Sequence, residues 1–261
     1  MALTITALQG ALGATVTGLD PDNVDVATAA ELIDAWHQHL VLFFPQINLS
    51  PAQQVGLAKH FGTRFAATTE AGDYRNAPSL ADEGFPEILL LDTAQGLNPK
   101  VTANWHTDVT FSAQPPIGSL FCMEIPAASG GDTLWSNQYM ALARLSPAIR
   151  GLIGGLEAVH GRPPLTGTAT HPMITTHSGT GREVLFVNRS WTNSVVGLSA
   201  GESSHLLAMI NETAERPEFQ IRWKWSAGDA ALWDNRCTMH YAVNDYAGER
   251  RRARRVTIYD I

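Results

Sequence analysis

Short apolar runs, most of them bounded by Gly, Pro, Asp or Asn, dominate the chain from about residue 86 onward. Runs of this length and composition predict β-strands. They are EILLLDT, GSLFCMEIP, GDTLWSN, EVLFVNRS, FQIRWKW, AALWDN and RRVTIYDI. Because so many short strands with few helices between them are typical of a sandwich or a jelly roll, we expect a mainly β fold rather than a doubly wound parallel sheet.

Apolar positions at helical spacing predict helices that flank this β-rich region. The segments are 27–40, 137–156 and 200–215. A further helix is predicted after Ser50, with Pro51 at its first position, and Ser199 with Glu202 predicts a capping box. Two more strands are expected at 14–20 and 41–44. Since we find no internal repeat and no low-complexity linker, residues 1–261 are predicted to form a single domain, with the early helices packed outside the sheets.

The composition excludes several classes of protein. At 44% hydrophobic residues the chain can bury a large core, which excludes disorder, and its formal net charge of −7 argues against nucleic acid as a partner. Cys122 and Cys237 are too few for a disulfide framework and are predicted to be buried in a reducing compartment. The start MALTITALQG has no signal-peptide pattern, and no apolar run reaches the roughly 18 residues that would span a bilayer. We therefore expect a soluble, cytoplasmic protein.

The stretch NWHTDVTF places two polar side chains among apolar ones. On an extended segment His106 and Asp108 point to the same face, and His240, which follows a strand, is the best third partner. Two histidines and one carboxylate form the facial triad of non-haem iron oxygenases, although a merely structural pair remains an alternative at this point. The other histidines are expected to be solvated or to cap helices: His37, His39, His60, His160, His171, His177 and His205.

Arginines follow His240 in the last predicted strand. If the two strands around NDYAG form a hairpin, His240 lies opposite Arg251 at about 5 Å. Arg251 and Arg255 then share one face, where two guanidinium groups indicate binding of anions such as carboxylate, sulfate or phosphate. The alternative is an exposed basic edge strand, which is the expected role of three neighbouring arginines. These are Arg250, Arg252 and Arg254.

These motifs together resemble the taurine catabolism dioxygenase family of Fe(II)/2-oxoglutarate-dependent oxygenases (TauD/TfdA type). The resemblance covers most of the chain and rests mainly on WHTDVTF, SGGDTLWSN and RWKWSAGDAALWDNRCTMHYAVNDY. It implies a double-stranded β-helix, or jelly roll, with the iron between the two sheets. It also implies 2-oxoglutarate and O2 as co-substrates and a small anionic substrate of the sulfonate, alkylsulfate or aryloxyalkanoate type. The substrate carbon is oxidised, often with cleavage of its C–S or C–O bond, while 2-oxoglutarate becomes succinate and CO2.

The resemblance assigns roles to individual residues. His106, Asp108 and His240 match the iron ligands. Thr133 and Arg251 match the residues that bind the distal carboxylate of 2-oxoglutarate. Arg255 matches the arginine that binds the acidic group of the substrate.

The chain departs from the taurine enzyme where that enzyme contacts the sulfonate. FGTRFAATTEAGDYR has no histidine after Phe61, and Thr102 replaces an asparagine, so the substrate is left open. Tyr74 and Thr102 are the remaining candidates for substrate binding. The alternative functions are a zinc-dependent hydrolase with the same three ligands and a non-catalytic sensor of small anions. A homo-oligomer is expected.

Overall fold

The molecule is built from many short strands and a few helices. A computed structural model describes residues 2–66, 78–95, 103–163, 166–246 and 248–260. The strands are β1 (Thr4–Ala7), β2 (Ala14–Thr17), β3 (Val41–Phe44), β4 (Arg64–Ala66), β5 (Ser79–Leu80), β6 (Phe85–Asp92), β7 (Gly118–Ile125), β8 (Thr133–Asn137), β9 (Glu157–Gly161), β10 (Thr168–Pro172), β11 (Ile174–Thr176), β12 (Glu183–Leu185), β13 (Thr192–Val195), β14 (Gln220–Trp223), β15 (Ala230–Asp234), β16 (Thr238–Ala242) and β17 (Arg252–Tyr259). The helices are α1 (Val26–His39), α2 (Pro51–Ala58), α3 (Gln138–Arg144), α4 (Pro147–Ile153) and α5 (Ala200–Ala214).

A large sheet forms the main layer of the fold. Its strands follow the order β1-β2-β3-β15-β7-β17-β6-β5. Strand β17 pairs with β7 along one edge, and with β6 and then β4 along the other. The β2–β3 pair is parallel, whereas β17 and its neighbours are antiparallel. The C-terminal strand therefore lies in the interior of the sheet and carries its arginines there.

A smaller sheet with the order β14-β8-β16 faces the large one. An antiparallel bridge between His106 and His240 adds the WHTD segment to it. Aromatic side chains from both sheets meet in one buried cluster, which includes Phe43 and Phe121 of the large sheet and Trp135 of the small sheet. Burial of aromatic residues from facing sheets holds the two layers together. The predicted mainly β, jelly-roll architecture is confirmed.

The early helices cover the outer face of the large sheet, as predicted. Leu32 and Trp36 of α1 and Leu57 of α2 are buried there in a second apolar cluster. Helix α2 begins with the expected cap: the Ser50 hydroxyl accepts a hydrogen bond from the Gln53 N–H, and the Gln53 side chain accepts one from the Ser50 N–H. The capping box of Ser199 at the start of α5 is also present.

The single helix predicted at 137–156 is two helices. The first, α3, ends at Arg144, and α4 starts at Pro147 with Ser146 as its N-cap. Proline fits the first position of a helix but disrupts its interior, because it lacks an N–H and its ring clashes with the preceding turn. The Ser-Pro pair therefore ends one helix and begins the next.

The predicted hairpin between the last two strands is wrong. Strand β16 pairs with β8 in the small sheet, whereas β17 lies in the large sheet. The connecting segment crosses between the layers instead of forming a tight turn, because Tyr246 is buried and the Asp245 carboxylate accepts a hydrogen bond from the Gly131 N–H at 2.7 Å. His240 and Arg251 consequently face each other from opposite sheets.

The interpretation of Arg254 as part of an exposed edge is also wrong. Strand β17 is interior, and Arg254 is buried, with its Nε 2.8 Å from a carboxylate oxygen of Glu124. Arg252, on the same face, is partly exposed and pairs with the other oxygen of Glu124 at 2.6 Å. One glutamate therefore forms an ion pair with each of the two arginines.

The two cysteines, Cys122 and Cys237, are buried, as the sequence predicted, and they are unpaired. No described helix combines the length and the apolar character that crossing a membrane would require.

Candidate active site

The three residues predicted as metal ligands lie together between the sheets. The Nε2 atoms of His106 and His240 are each 3.8 Å from Oδ1 of Asp108. All three side chains are buried, and one ligand atom from each lies within 4.8 Å of the others. Two bonds of about 2 Å to a shared metal ion span such separations. The chain thus brings together two histidines and one carboxylate in the arrangement of a facial triad.

The protonation states of the histidines suit metal binding. Burial lowers the pKa of His106, and it lowers the pKa of His240 to about 3, so both rings are neutral near pH 7. The Nδ1–H of His106 donates to the Asn104 carbonyl at 2.8 Å, which leaves Nε2 as a lone-pair donor on the side of Asp108. This is the usual second contact of a metal-binding histidine. His240 is oriented by packing, with its ring 4.9 Å from that of Trp233 and 4.1 Å from that of His106.

Arg255 controls the charge of the carboxylate. Its Nη1 lies 3.2 Å from Oδ1 and 3.3 Å from Oδ2 of Asp108. Burial is the largest single influence and would raise the pKa of Asp108, but the Arg255 guanidinium, the two imidazoles and the Ser119 hydroxyl together outweigh it, and the pKa lies at about 2. Asp108 is therefore an anion at neutral pH. The contact was missed in the sequence because it joins residues far apart in the chain.

A cavity beside the triad contains the predicted co-substrate residues. Its polar lining includes His106, His240, Thr133, Arg251 and Arg255. Its aromatic lining includes Phe121, Trp135, Trp225, Trp233 and Tyr246. An apolar cavity with a few converging polar groups is the usual form of a small-molecule site.

Arg251 carries a buried charge within this cavity. Its Nε donates to the Gly131 carbonyl at 3.3 Å, and its guanidinium carbon lies 5.5 Å from the centre of the Phe121 ring. Among the residues described by the structure, no carboxylate approaches its nitrogens closely enough for a salt bridge. Burial lowers the pKa of Arg251, yet a guanidinium remains charged at neutral pH. A buried cation of this kind favours an anionic ligand.

Trp225 fixes the hydroxyl of Thr133. Its Nε1–H donates to Thr133 Oγ1 at 3.0 Å, and both residues are buried. Because that oxygen accepts from the indole, its own proton is available to an acceptor in the cavity. The sequence predicted Thr133 but not Trp225, whose only sequence signal is its place in the RWKWSAGD motif.

Gly131 permits the close approach of these groups. It has a φ of 72°, and a Cβ at this position would lie 3.2 Å from Tyr246 and 3.4 Å from the Arg251 side chain. Glycine at this position of the GGDTLW motif therefore provides both the positive φ and the space that Tyr246 and Arg251 occupy. Tyr74 and Thr102, the other predicted substrate residues, lie outside the described residues.

The prediction that His160, His171 and His177 are solvated or capping residues is wrong. All three are buried, and His171 donates through Nε2 to the carbonyls of Thr110 at 2.8 Å and Ser112 at 3.0 Å. The Pro- and Gly-bearing sequence concealed the short strands β9 and β10, which carry His160 and His171, and both of these histidines form hydrogen bonds with Thr110.

His177 lies near Asp234 and Cys237 in a second group of possible metal ligands. Both of its nitrogens are already committed. Nδ1 accepts from the N–H groups of Gly179 and Thr180, and Nε2 donates to Asp234 at 2.8 Å. Arg236 also pairs with Asp234, at 2.6 Å. These contacts fit a structural role.

The buried His160 gives the protein an expected pH dependence. Burial lowers its pKa to about 3, whereas an unfolded histidine titrates near 6.5. Between these values the unfolded state binds more protons, so the free energy of unfolding should fall as the pH falls from about 6.5 towards 3. One such group contributes a slope of about 1.4 kcal/mol per pH unit. Denaturant unfolding from pH 6 to pH 4 should therefore show a shallower slope for His160→Gln than for the unsubstituted protein, and equal slopes would contradict this.

Comparisons with known proteins agree with this arrangement. The family model for "Taurine catabolism dioxygenase TauD, TfdA family" matches residues 4–257. The alpha-ketoglutarate-dependent sulfate ester dioxygenase of Pseudomonas putida is 35% identical over 96% of this chain and 87% of its own. The (S)-phenoxypropionate/alpha-ketoglutarate-dioxygenase of Delftia acidovorans is 29% identical over 92% and 89%. A taurine dioxygenase from Burkholderia xenovorans superimposes with a TM-score of 0.86, at 32% identity and coverage of 100% and 92%.

The family match extends over nearly the whole chain and includes every motif on which the resemblance was based. Dependence on alpha-ketoglutarate, which is 2-oxoglutarate, recurs in the names of the curated relatives. The prediction from the sequence is confirmed: the chain belongs to the taurine catabolism dioxygenase (TauD, TfdA) family.

Proposed function

We propose that the protein is an Fe(II)- and 2-oxoglutarate-dependent dioxygenase that oxidises a small organic anion. The observation that carries this proposal is the buried group of His106, Asp108 and His240 beside a cavity that Arg251 and Arg255 also line. A zinc hydrolase needs no second buried cation to hold a co-substrate acid, and a sensor needs no facial triad. The family match favours the dioxygenase over both.

The neutral rings of His106 and His240 and the anionic Asp108 would hold Fe(II). Bound there, the metal supplies the activation of O2. The protein holds the ligands at fixed separations and excludes bulk water through the aromatic walls of the cavity. The Asn104 carbonyl keeps the Nδ1 proton of His106 in place, so Nε2 is the atom that binds.

Arg251 and Thr133 would hold the distal carboxylate of 2-oxoglutarate. The guanidinium supplies charge, and the Thr133 hydroxyl supplies a directed hydrogen bond because Trp225 occupies its oxygen. A planar guanidinium beside an oriented hydroxyl is well suited to a carboxylate.

The acidic group of the prime substrate would be held near Arg255. The names of the three relatives above give substrates with a sulfate ester, a carboxylate or a sulfonate group. These groups are all negatively charged but differ in shape. With a net charge of −7 on the whole chain, attraction for such anions must come from a local cation. Arg255 lines the cavity and lies beside the metal ligand Asp108.

The direct test is oxygen uptake with Fe(II) and 2-oxoglutarate, in the presence of a panel of sulfonates, alkylsulfates and aryloxyalkanoates. Succinate formation that depends on one of these compounds would identify the substrate class. Turnover that requires zinc and no O2, or anion binding without any succinate, would contradict the proposal.

Arg255→Gln should abolish the preference for anionic substrates. The variant loses a cation in the cavity, so the ratio of kcat/KM for an acidic substrate to that for its neutral analogue should fall by at least about tenfold. Because the same change also raises the pKa of Asp108, absolute rates are a poor measure and the ratio is the quantity to compare. The 2-oxoglutarate KM serves as the internal control. An unchanged ratio would mean that Arg255 only stabilises the anionic form of Asp108 and does not bind the substrate.

A further inference from the structure

The three ligands of the triad all depend on one short segment, residues 235–240. His106 and His240 exchange two main-chain hydrogen bonds, of 3.0 and 2.7 Å. Thr107 then donates through its hydroxyl to the Thr238 carbonyl at 3.0 Å. The chain around His106 therefore lies along β16 as a short additional strand. To hold Asp108 in the same way, the main-chain hydrogen bonding with β16 would have to extend to that residue.

Main-chain pairing cannot continue past Asp108 because the chain turns away there. Val109 has a φ of 57°, in the left-handed region. A β-branched residue rarely adopts this conformation, since its Cβ crowds the backbone, and it persists only where the surroundings hold it. Asp108 thus stands at the point where the pseudo-strand ends and a strained turn begins.

The side chain of Asn235 replaces the missing main-chain partner. Its Oδ1 accepts from the Asp108 N–H at 2.9 Å, and its Nδ2 donates to the Asp108 carbonyl at 3.0 Å. Nδ2 also donates to the Pro116 carbonyl at 2.9 Å. Because Asn235 meets one N–H donor and two carbonyl acceptors, its Oδ1 must face the N–H and its Nδ2 must face the carbonyls. Asn235 and Asp108 are both almost fully buried, so water cannot substitute for these bonds.

The Asp108 carboxylate and the far end of the turn are held separately. The Ser119 hydroxyl donates to Oδ2 of Asp108 at 3.3 Å, and Arg255 contacts both of its oxygens. His171 holds the carbonyl of Thr110 beyond the strained residue. Asn235 is the group that fixes both main-chain polar atoms of the ligand itself.

We propose that Asn235 is a positioning residue that sets the direction of the Asp108 carboxylate before a metal binds. The inference rests on the proposed role of Asp108 as a metal ligand. Because His240 and Asn235 belong to the same segment, the hydrogen bonds of Asn235 to Asp108 also fix the separation of two ligands that are far apart in the sequence. Loss of the amide would let Asp108 and Val109 relax into an ordinary backbone conformation and move the carboxylate off the line to the two imidazoles.

Mn(II) binding to the protein tests this without turnover. Free Mn(II) measured by electron paramagnetic resonance gives the dissociation constant, and circular dichroism establishes that each variant is folded. Asn235→Ala should weaken Mn(II) binding by about 10- to 100-fold, which is the usual effect of losing an outer partner of a ligand. Asn211→Ala is the matched control, because Asn211 is a buried asparagine of α5, a helix that contributes no residue to the triad or to the lining of the cavity. It should leave Mn(II) binding unchanged.

The outcomes separate the two proposals. A folded Asn235→Ala protein with unchanged Mn(II) affinity would overturn the positioning role while leaving the metal site intact. An unsubstituted protein that fails to bind Mn(II) would overturn the metal role of Asp108, and the role of Asn235 with it. If Asn235→Ala does not fold, the double variant with Val109→Gly carries the comparison, since glycine adopts the positive φ without strain. Its affinity must then fall below that of Val109→Gly alone; equal affinities would overturn the proposal.

Discussion

Replacing His240 with alanine is expected to abolish 2-oxoglutarate-dependent turnover and to weaken metal binding by more than 100-fold. Loss of an outer partner of a ligand already costs about 10- to 100-fold, and His240 would be a ligand itself. The remaining pair, His106 and Asp108, would leave the metal with an extra exchangeable position. His106→Ala should have the same effect, because the Nε2 atoms of the two rings lie at equal distances from Asp108.

Mn(II) affinity and succinate formation should be measured on the same preparations. His205→Ala provides the control, since this histidine is exposed on α5 and its Nδ1 bonds to the Gly201 carbonyl of its own helix. A thermal melt would show that the fold survives, because His240 keeps its place in β16 through main-chain bonds that alanine also makes. Near-normal turnover in either ligand variant would show that the metal site is assigned wrongly.

The local features of the fold could be predicted because each depends on a few adjacent residues. The cap at Ser50 and the strand at 41–44 were located correctly. The break between α3 and α4 could also have been found, since Ser146 and Pro147 are a cap followed by a first helical residue. Periodicity continued across this pair and concealed the break.

The pairing of strands could not be predicted from the same information. The segments around β16 and β17 both resemble strands, and a turn-rich stretch joins them, so a hairpin was the simplest interpretation. The choice was decided by distant partners: β8 for one strand and β7 for the other. Such partners leave no trace in a short window of sequence. The wrong hairpin does not change the functional prediction, because His240 and Arg251 line the same cavity from opposite sheets.

The supporting groups of the site were invisible for a similar reason. His106, Asp108 and His240 were selected as candidate ligands through residue type and spacing, whereas Asn235 and Trp225 make contacts that only the folded chain creates. His171 was predicted to be solvated or to cap a helix because its neighbours are turn-forming residues. It is buried because the Thr110 and Ser112 carbonyls provide hydrogen bonds for its ring.

Arg251→Ala is expected to raise the KM for 2-oxoglutarate far more than the KM for the prime substrate. Removal of one partner of a buried, charged hydrogen bond costs about 2–5 kcal/mol, which corresponds to well over tenfold in affinity. The backbone of Arg251 is held independently of its side chain, since its N–H donates to the Thr93 hydroxyl at 2.9 Å and its carbonyl accepts from the Thr93 N–H at 3.1 Å. Truncation should therefore empty the charged end of the cavity without displacing β17.

The neighbouring Arg250→Ala is the matched control, because it removes the same charge one position away. Arg250 is partly exposed and pairs with Asp92 at 2.8 Å, outside the cavity. Initial rates of succinate formation over a range of 2-oxoglutarate concentrations, at saturating metal and substrate, should show a large rise in KM for Arg251→Ala and little change for Arg250→Ala. Equal KM values for the two variants would mean that the buried guanidinium does not bind the co-substrate. In that case Arg251 would have to bind a different anion, since its guanidinium lies beside Phe121 without a carboxylate partner among the described residues.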